Sequence, residues 1–293
     1  MSLSITPFYE PRSGTWTYLV ADTGNGVAAI IDPVWVFDPV SGQASRESID
    51  EVLAAMNAEG WTLAWVLETH AHADHLSAGA LLREETGARI AIGAGIRSVQ
   101  ETFSRVYNTP EAPVNGEPFD RLLEEGDEIE LGDLTIRVLA TPGHTNDSIT
   151  YLVEDAAFIG DTLFAPSFGS ARCDFPGGNA GLLFESVQKL YALPDETRLF
   201  LCHDYPPEGT EPRAMVTVAE SRRDNIHIND GTTRDAFIAM REERDAGLKL
   251  PQLIYPAIQV NLLAGAAPPA EDNGASYLKL PFNTSVPELL EPK

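Results

Sequence analysis

The chain has 293 residues, with 20 basic against 44 acidic side chains and a formal net charge of −24. That balance excludes nucleic acid and anionic membrane surfaces as partners, since both need their phosphates neutralised by cations. The length suffices to bury a sizeable core as one large or two small domains, and no apolar run approaches the roughly 20 residues of a membrane-spanning helix.

Met1 to Pro11 lacks the basic and apolar regions of a signal peptide, so a bacterial-type cytoplasm is the expected compartment. Thr15–Val20 and Val27–Ile31 are β-rich runs split by Asp22-Thr23-Gly24-Asn25-Gly26, which predicts an opening hairpin. Ile49, Val52, Leu53 and Met56 recur at i, i+3, i+4 and i+7, the stripe of an amphipathic helix ending at Gly60. The apolar run Leu63–Leu67 follows as a strand. Directly after it, Thr69-His70-Ala71-His72-Ala73-Asp74-His75 places four potential metal ligands within six positions. A lone His-x-His would read as solvated loop polarity. Here three of the chain's six histidines sit together, and burying an imidazole is costly unless its ring nitrogens find partners. A metal ion is the simplest common partner. In an extended stretch His70, His72 and Asp74 point to one side, with His75 swung round by the following turn.

A second helix, capped by Ser77 and stopped at Gly87, is predicted next, then a strand over 89–92, a helix over 96–107 and an irregular connection over 108–126. Strand signals dominate 127–160. His144 follows the alternating segment Leu134–Leu139, Asp161 ends the run Ala157-Phe158-Ile159-Gly160, and His203 ends the apolar run Leu199–Cys202. Four strand ends therefore each offer a ligand. His227 follows no such pattern and reads as an ordinary histidine. A helix over 181–193, helices near 213–225 and 232–246, and a Pro-rich tail complete the chain. The tail has too few periodic apolar positions for a core of its own, so it is expected to pack on the main domain. Cys173 and Cys202 are too few for a disulfide framework, and neither reads as a metal thiolate.

The ordered set His-x-His-x-Asp-His, Pro-Gly-His-Thr, Gly-Asp and a late His resembles the metallo-β-lactamase superfamily over about residues 14–205. The resemblance implies an α+β fold, a four-layer αββα sandwich with the metal at one edge, here carrying a helical and Pro-rich extension over 206–293. One domain over 1–293 is expected. The tail holds no cysteine, so a catalytic rhodanese domain of the kind fused to some relatives is not expected.

Two chemistries share this ligand set. In hydrolases of the glyoxalase II type the resemblance implies two zinc ions, one on His70, His72 and His144, the other on Asp74, His75 and His203, with Asp161 bridging. Zn(II) then activates water against a thioester. In the persulfide dioxygenases it implies one Fe(II) per chain on His70, His144 and Asp161, with His72, Asp74, His75 and His203 arranged around it. Arg172-Cys173-Asp174-Phe175 and Phe175-Pro176-Gly177-Gly178 resemble the second family. Asn225-Ile226-His227 and Pro256–Asn261 resemble its longer bacterial form. The favoured expectation is thus an iron enzyme oxidising glutathione persulfide with O₂ to sulfite and glutathione, with a homodimer as the candidate assembly. Arg172 would orient the site, paired with Asp174, and Tyr205 would donate a hydrogen bond to substrate or oxygen. A non-catalytic sensor is the third reading, disfavoured by the complete ligand set.

Overall fold

The computed structural model describes residues 2–206 and 209–291. Its strands are β1 (Leu3–Glu10), β2 (Thr15–Asp22), β3 (Val27–Ile31), β4 (Val34–Asp38), β5 (Gln43–Ser45), β6 (Thr62–Leu67), β7 (Leu76–Ser77), β8 (Arg89–Gly93), β9 (Arg121–Leu123), β10 (Glu128–Leu131), β11 (Leu134–Ala140), β12 (Ile149–Val153), β13 (Ala156–Phe158), β14 (Arg198–Phe200) and β15 (Met215–Thr217). The helices are α1 (Glu47–Ala58), α2 (Gly79–Thr86), α3 (Ile96–Val106), α4 (Ala180–Tyr191), α5 (Val218–Asp224), α6 (Arg234–Asp245), α7 (Ile254–Asn261) and α8 (Val286–Leu290).

Two six-stranded sheets face each other, in the orders β1-β2-β3-β6-β8-β9 and β10-β11-β12-β13-β14-β15. Period-2 alternation builds the layers. Leu19 and Ala21 of β2 join α1–α3 in one outer core, whereas Tyr18 and Val20 enter the core between the sheets. On the other side Ala156 and Phe158 point inward, and Ala157 and Ile159 pack with α4 and α6 in the second outer core. Each central strand is covered on both faces and so reads as a continuous apolar run, the pattern of a four-layer αββα sandwich.

The helix periods follow the sequence. Ile49, Val52 and Met56 of α1 are buried, each such side chain contributing about 2 kcal/mol relative to exposure. α2 ends at Gly87 as expected, though its N-cap is Ala78, and Ser77 instead closes the short strand β7 and accepts from Gly79 N–H at 2.9 Å. Several elements differ from the sequence reading, among them β4, β5, β7 and the tail helices α7 and α8. Leu3–Glu10 forms an edge strand against β2; the irregular connection includes β9; and the helix expected near 213–225 begins only at Val218. At that last place Met215–Thr217 pairs with β14, and Thr217 then caps α5 by accepting from Glu220 N–H. Sheet pairing outcompetes one helical turn there.

The C-terminal extension packs into both outer cores. Ile254, Ile258, Leu262 and Val286 join the α1–α3 side, and Phe237 joins the α4 side. Among the described residues no helix is long and apolar enough to cross a membrane.

Candidate metal centre

The ligand loop starts where β6 ends. β3 and β6 run parallel with Ile31 opposite Leu67, so Asp32 at the end of β3 meets the chain leaving β6. Its carboxylate accepts from Thr69 N–H at 2.7 Å and from the Thr69 hydroxyl at 2.9 Å. Asp147 accepts from Ala71 N–H at 2.7 Å, and Asn261 of α7 donates to the carbonyls of His72 and His75, each at 2.8 Å, while accepting from Ser77 N–H. A buried, irregular backbone survives only when its polar groups are met in this way.

The loop sets the His70 and His72 rings 4.1 Å apart and gathers His72 and Asp74 into one ligand group. The structure sorts the predicted ligands into two groups, in each of which the ligand atoms lie within 4.8 Å of one another. The first is His70, His144 and Asp161. Asp161 Oδ2 stands 4.0 Å from His70 Nε2 and 3.7 Å from His144 Nε2. The second is His72, Asp74, His75 and His203, with His203 Nε2 3.1 Å from Asp74 Oδ2. Asp161 reaches toward it as well, its Oδ1 lying 3.4 Å from His203 Nε2. His72 lies between the groups, its ring 4.1 Å from that of His70 and 4.2 Å from that of His75; its Nε2 stands 3.1 Å from Asp32 and 3.6 Å from Glu68, and its Nδ1 has no protein partner.

Each first-group ligand is aimed by a neighbour. His144 Nδ1–H donates to the Arg172 carbonyl at 2.7 Å, which leaves Nε2 as a lone pair, and His70 Nδ1 lies 3.0 Å from the Thr69 hydroxyl. Asp161 sits in the turn Gly160–Thr162. At Gly160 φ is +51°, and a Cβ there would lie 2.7 Å from Thr69 Oγ1, so only glycine lets this turn reach His70.

His72 Nδ1, His75 Nε2, His203 Nε2 and Asp161 Oδ1 are buried without a hydrogen-bond partner. Leaving such atoms unpaired costs about 1–3 kcal/mol each, so four of them gathered among the ligand groups fit a cation. Nitrogen and carboxylate donors suit iron or zinc. The electrostatics agree with a cation site. Burial, then His72 and His144, hold His70 well below the ordinary imidazole range, so it is neutral and ready to ligate. Burial would raise Asp74, but His203 and His75 hold it well below the carboxylate range. Burial would likewise lower His72, yet Asp32 and Glu68 hold it well above the imidazole range.

The loop after Asp161 carries the predicted substrate residues. Arg172 forks onto Asp174, Nε to Oδ1 at 2.5 Å and Nη2 to Oδ2 at 2.6 Å, and Nη1 reaches the Lys249 carbonyl at 2.7 Å. The pair is half-buried, the side chains being 19% and 33% exposed. Tyr205 is 49% exposed and stacks on His203 at 5.8 Å between ring centroids. Burial by neighbouring atoms and the charges of Asp74 and Asp161 raise its phenol, so it stays a hydrogen-bond donor. A cavity of about 560 Å³ exposes Asp74, His75, His144, Asp161, Arg172 and Tyr205 together.

The sequence model of the metallo-beta-lactamase superfamily matches residues 11–203. The chain belongs to that superfamily. It is 46% identical over 292 residues to a probable metallo-hydrolase of Burkholderia pseudomallei, covering 96% of this chain and 99% of that one. Glyoxylase B2 of Dictyostelium discoideum is 43% identical, with 95% and 97% covered. The mitochondrial persulfide dioxygenase ETHE1 of Bos taurus is 30% identical, with 89% and 88% covered. Among solved structures, ETHE1 from Myxococcus xanthus superposes with a TM-score of 0.73 at 34% identity, over 90% of this chain and all of that one. The chain spans 64% of the length of a beta-lactamase hydrolase-like protein of Xylella fastidiosa that is 45% identical to it.

For a metallo-beta-lactamase fold the unexpected participants are Asp32, Glu68 and Asn261. Asp32 carried a signal in the sequence, since Ile30-Ile31-Asp32 is another apolar strand ending in a carboxylate. Asn261 lies 186 residues from His75, and its mark in the sequence was its place in the segment Pro256–Asn261, with nothing there to tie it to the ligand loop.

Proposed function

We propose that this metallo-beta-lactamase-fold enzyme is a persulfide dioxygenase that converts glutathione persulfide, one O₂ and one water into sulfite and glutathione. His70, His144 and Asp161 would hold one Fe(II) per chain. Bound there, iron supplies open coordination positions at which a thiolate sulfur and O₂ meet, turning a bimolecular encounter into an intramolecular one. The chain's own residues do the rest. The Arg172 carbonyl keeps the proton on His144 Nδ1 and its Nε2 free. The Arg172 side chain, held by Asp174 and Lys249, fixes the wall of the cavity beside that ligand. Tyr205 offers a phenol proton at the cavity mouth. Asp74, His75 and His203 surround the triad with polar groups.

The observation that carries this reading is the convergence of His70, His144 and Asp161 into one group of three ligand atoms. The likeness to the two ETHE1 proteins supports it. A second reading, a two-zinc thioester hydrolase, is favoured by the reach of Asp161 toward both groups and by the likeness to glyoxylase B2. Oxygen uptake separates them. Iron-loaded protein given glutathione persulfide should consume one O₂ per sulfite, and Asp161→Ala should abolish the uptake. Cleavage of S-lactoylglutathione by two-zinc protein without oxygen uptake replaces this reading with the hydrolase.

A further inference from the structure

A second cavity, of about 960 Å³, adjoins the first beside the metal ligands. Ala73, His144, Arg172, Leu248 and Pro251 line both, so His144 is reached from either cavity and Arg172 stands at their boundary. The two offer a ligand different walls. Asp74, His75, His144 and Asp161 face the first. In the second His144 is the one member of the two ligand groups, and the wall around it is apolar. It is built from Phe175, whose ring lies 6.2 Å from that of His144, from Ile238 of α6, from Leu250 and Ile254 at the entry to α7, and from Val286 and Leu290 of α8.

The cations and most of the acids of this second cavity are already engaged. Arg172 is held by Asp174 and the Lys249 carbonyl. Asp245 pairs with Arg241 and accepts from Cys173 N–H at 2.8 Å, and Arg234 reaches Glu185 at 3.4 Å. Glu242 adds an exposed negative charge. A carrier bearing carboxylates, such as glutathione, therefore meets only paired cations and a surplus acid there. Leu248 and Leu250, by contrast, are 47% and 49% exposed, and an apolar ligand in the cavity would cover them.

We propose that the second cavity binds apolar thiols, aliphatic or aromatic, with the sulfur at the metal group beside His144 and the chain along Phe175, so that the enzyme takes a second class of carrier besides the polar one of the first cavity. This inference rests on the thiol reading of the metal group above. It is indifferent to whether the reaction is oxidation or hydrolysis.

Protein loaded with cobalt(II) in place of iron and kept under argon tests it by binding alone, because a thiolate that reaches the metal adds a sulfur-to-cobalt absorption band. Titrated with ethanethiol and with 1-hexanethiol, the wild type should bind the longer thiol at least about tenfold more tightly, since each fully buried methylene strengthens binding about fourfold. A246W and I238D alter the second cavity and not the first. Each should remove most of that gain and leave ethanethiol binding, cobalt content and Tm unchanged, whereas F168A, in the first cavity, should leave the gain intact. Equal binding of the two thiols by the wild type, a gain that survives in both A246W and I238D, or its loss in F168A overturns the proposal. A band with neither thiol overturns it together with the thiol reading of the metal group. The gain without oxygen uptake by the iron enzyme supports the cavity and counts against the dioxygenase alone.

Discussion

The two ligand groups are built from the same residue types but are held differently. His70, His144 and Asp161 are aimed by neutral neighbours, a threonine hydroxyl and a backbone carbonyl, and they come from three separate strand ends. Three of the four members of the second group come from one loop, and there His72 is gripped by the carboxylates of Asp32 and Glu68. Imidazoles oriented by neutral acceptors keep their lone pairs available. The His72 ring, whose Nε2 faces carboxylates, also keeps Nδ1 without a protein partner, and the carboxylates make it the more basic ligand.

The strongest way to break this comparison is at the ligands. His144→Ala and Asp161→Ala should abolish iron binding, whereas His203→Ala should leave most of the iron in place; iron analysis after anaerobic loading measures it, and equal loss in all three dissolves the distinction. Next in size is Asn261→Ala. It strips the His72 and His75 carbonyls and the Ser77 N–H of their partner, and should cost about 3 kcal/mol in denaturant unfolding, since each stranded buried group costs about 1–3 kcal/mol. A loss below about 0.5 kcal/mol would mean that the loop stands without α7.

Arg172 and Asp174 bear on the first group only. Their pair is partly solvated, so Asp174→Asn should cost about 1 kcal/mol rather than the several expected of a buried pair. Arg172→Lys should lower turnover with iron content unchanged, because lysine cannot span Asp174 and the Lys249 carbonyl at once; unchanged kinetics would reduce Arg172 to a point charge. Asp174 is held below the ordinary carboxylate range because Arg172 outweighs the effect of burial. Its contribution is therefore full above the unfolded value near 4 and is lost as pH falls through the lower folded value.

The smallest effect concerns Cys173, which adjoins Arg172. Burial, then the Asp245 carboxylate, push its thiol up to about 12. At pH 8 the folded protein should react with iodoacetamide at Cys173 on the order of a thousandfold more slowly than free cysteine, which titrates near 8.5. Intact mass against time reads this directly, and alkylation at the free rate would bring a thiolate into the first group's surroundings.

Much of this was legible in the linear chain, because it depends on short-range rules. Alternation and 3.6-residue periodicity marked α1, α2, α3 and the central strands. The density of ligands at four strand ends marked His70, His72, Asp74, His75, His144, Asp161 and His203 as one site, and the order of the motifs pointed to the family that the comparisons show. What the sequence could not decide was the grouping. The i, i+2, i+4 argument placed His70, His72 and Asp74 on one side, and the His70 and His72 rings do lie 4.1 Å apart, but which ligand atoms gather with His144 and which with His203 follows from a loop fixed by tertiary contacts with Asp32, Asp147 and Asn261. His227, read from the sequence as an ordinary non-ligand histidine, belongs to neither ligand group, its Nδ1 accepting from Ser170 N–H instead. Residue type and spacing determine which atoms are able to bind a metal. Only the folded backbone, by placing a carboxylate or a carbonyl against one ring nitrogen, decides which of them are free to do so.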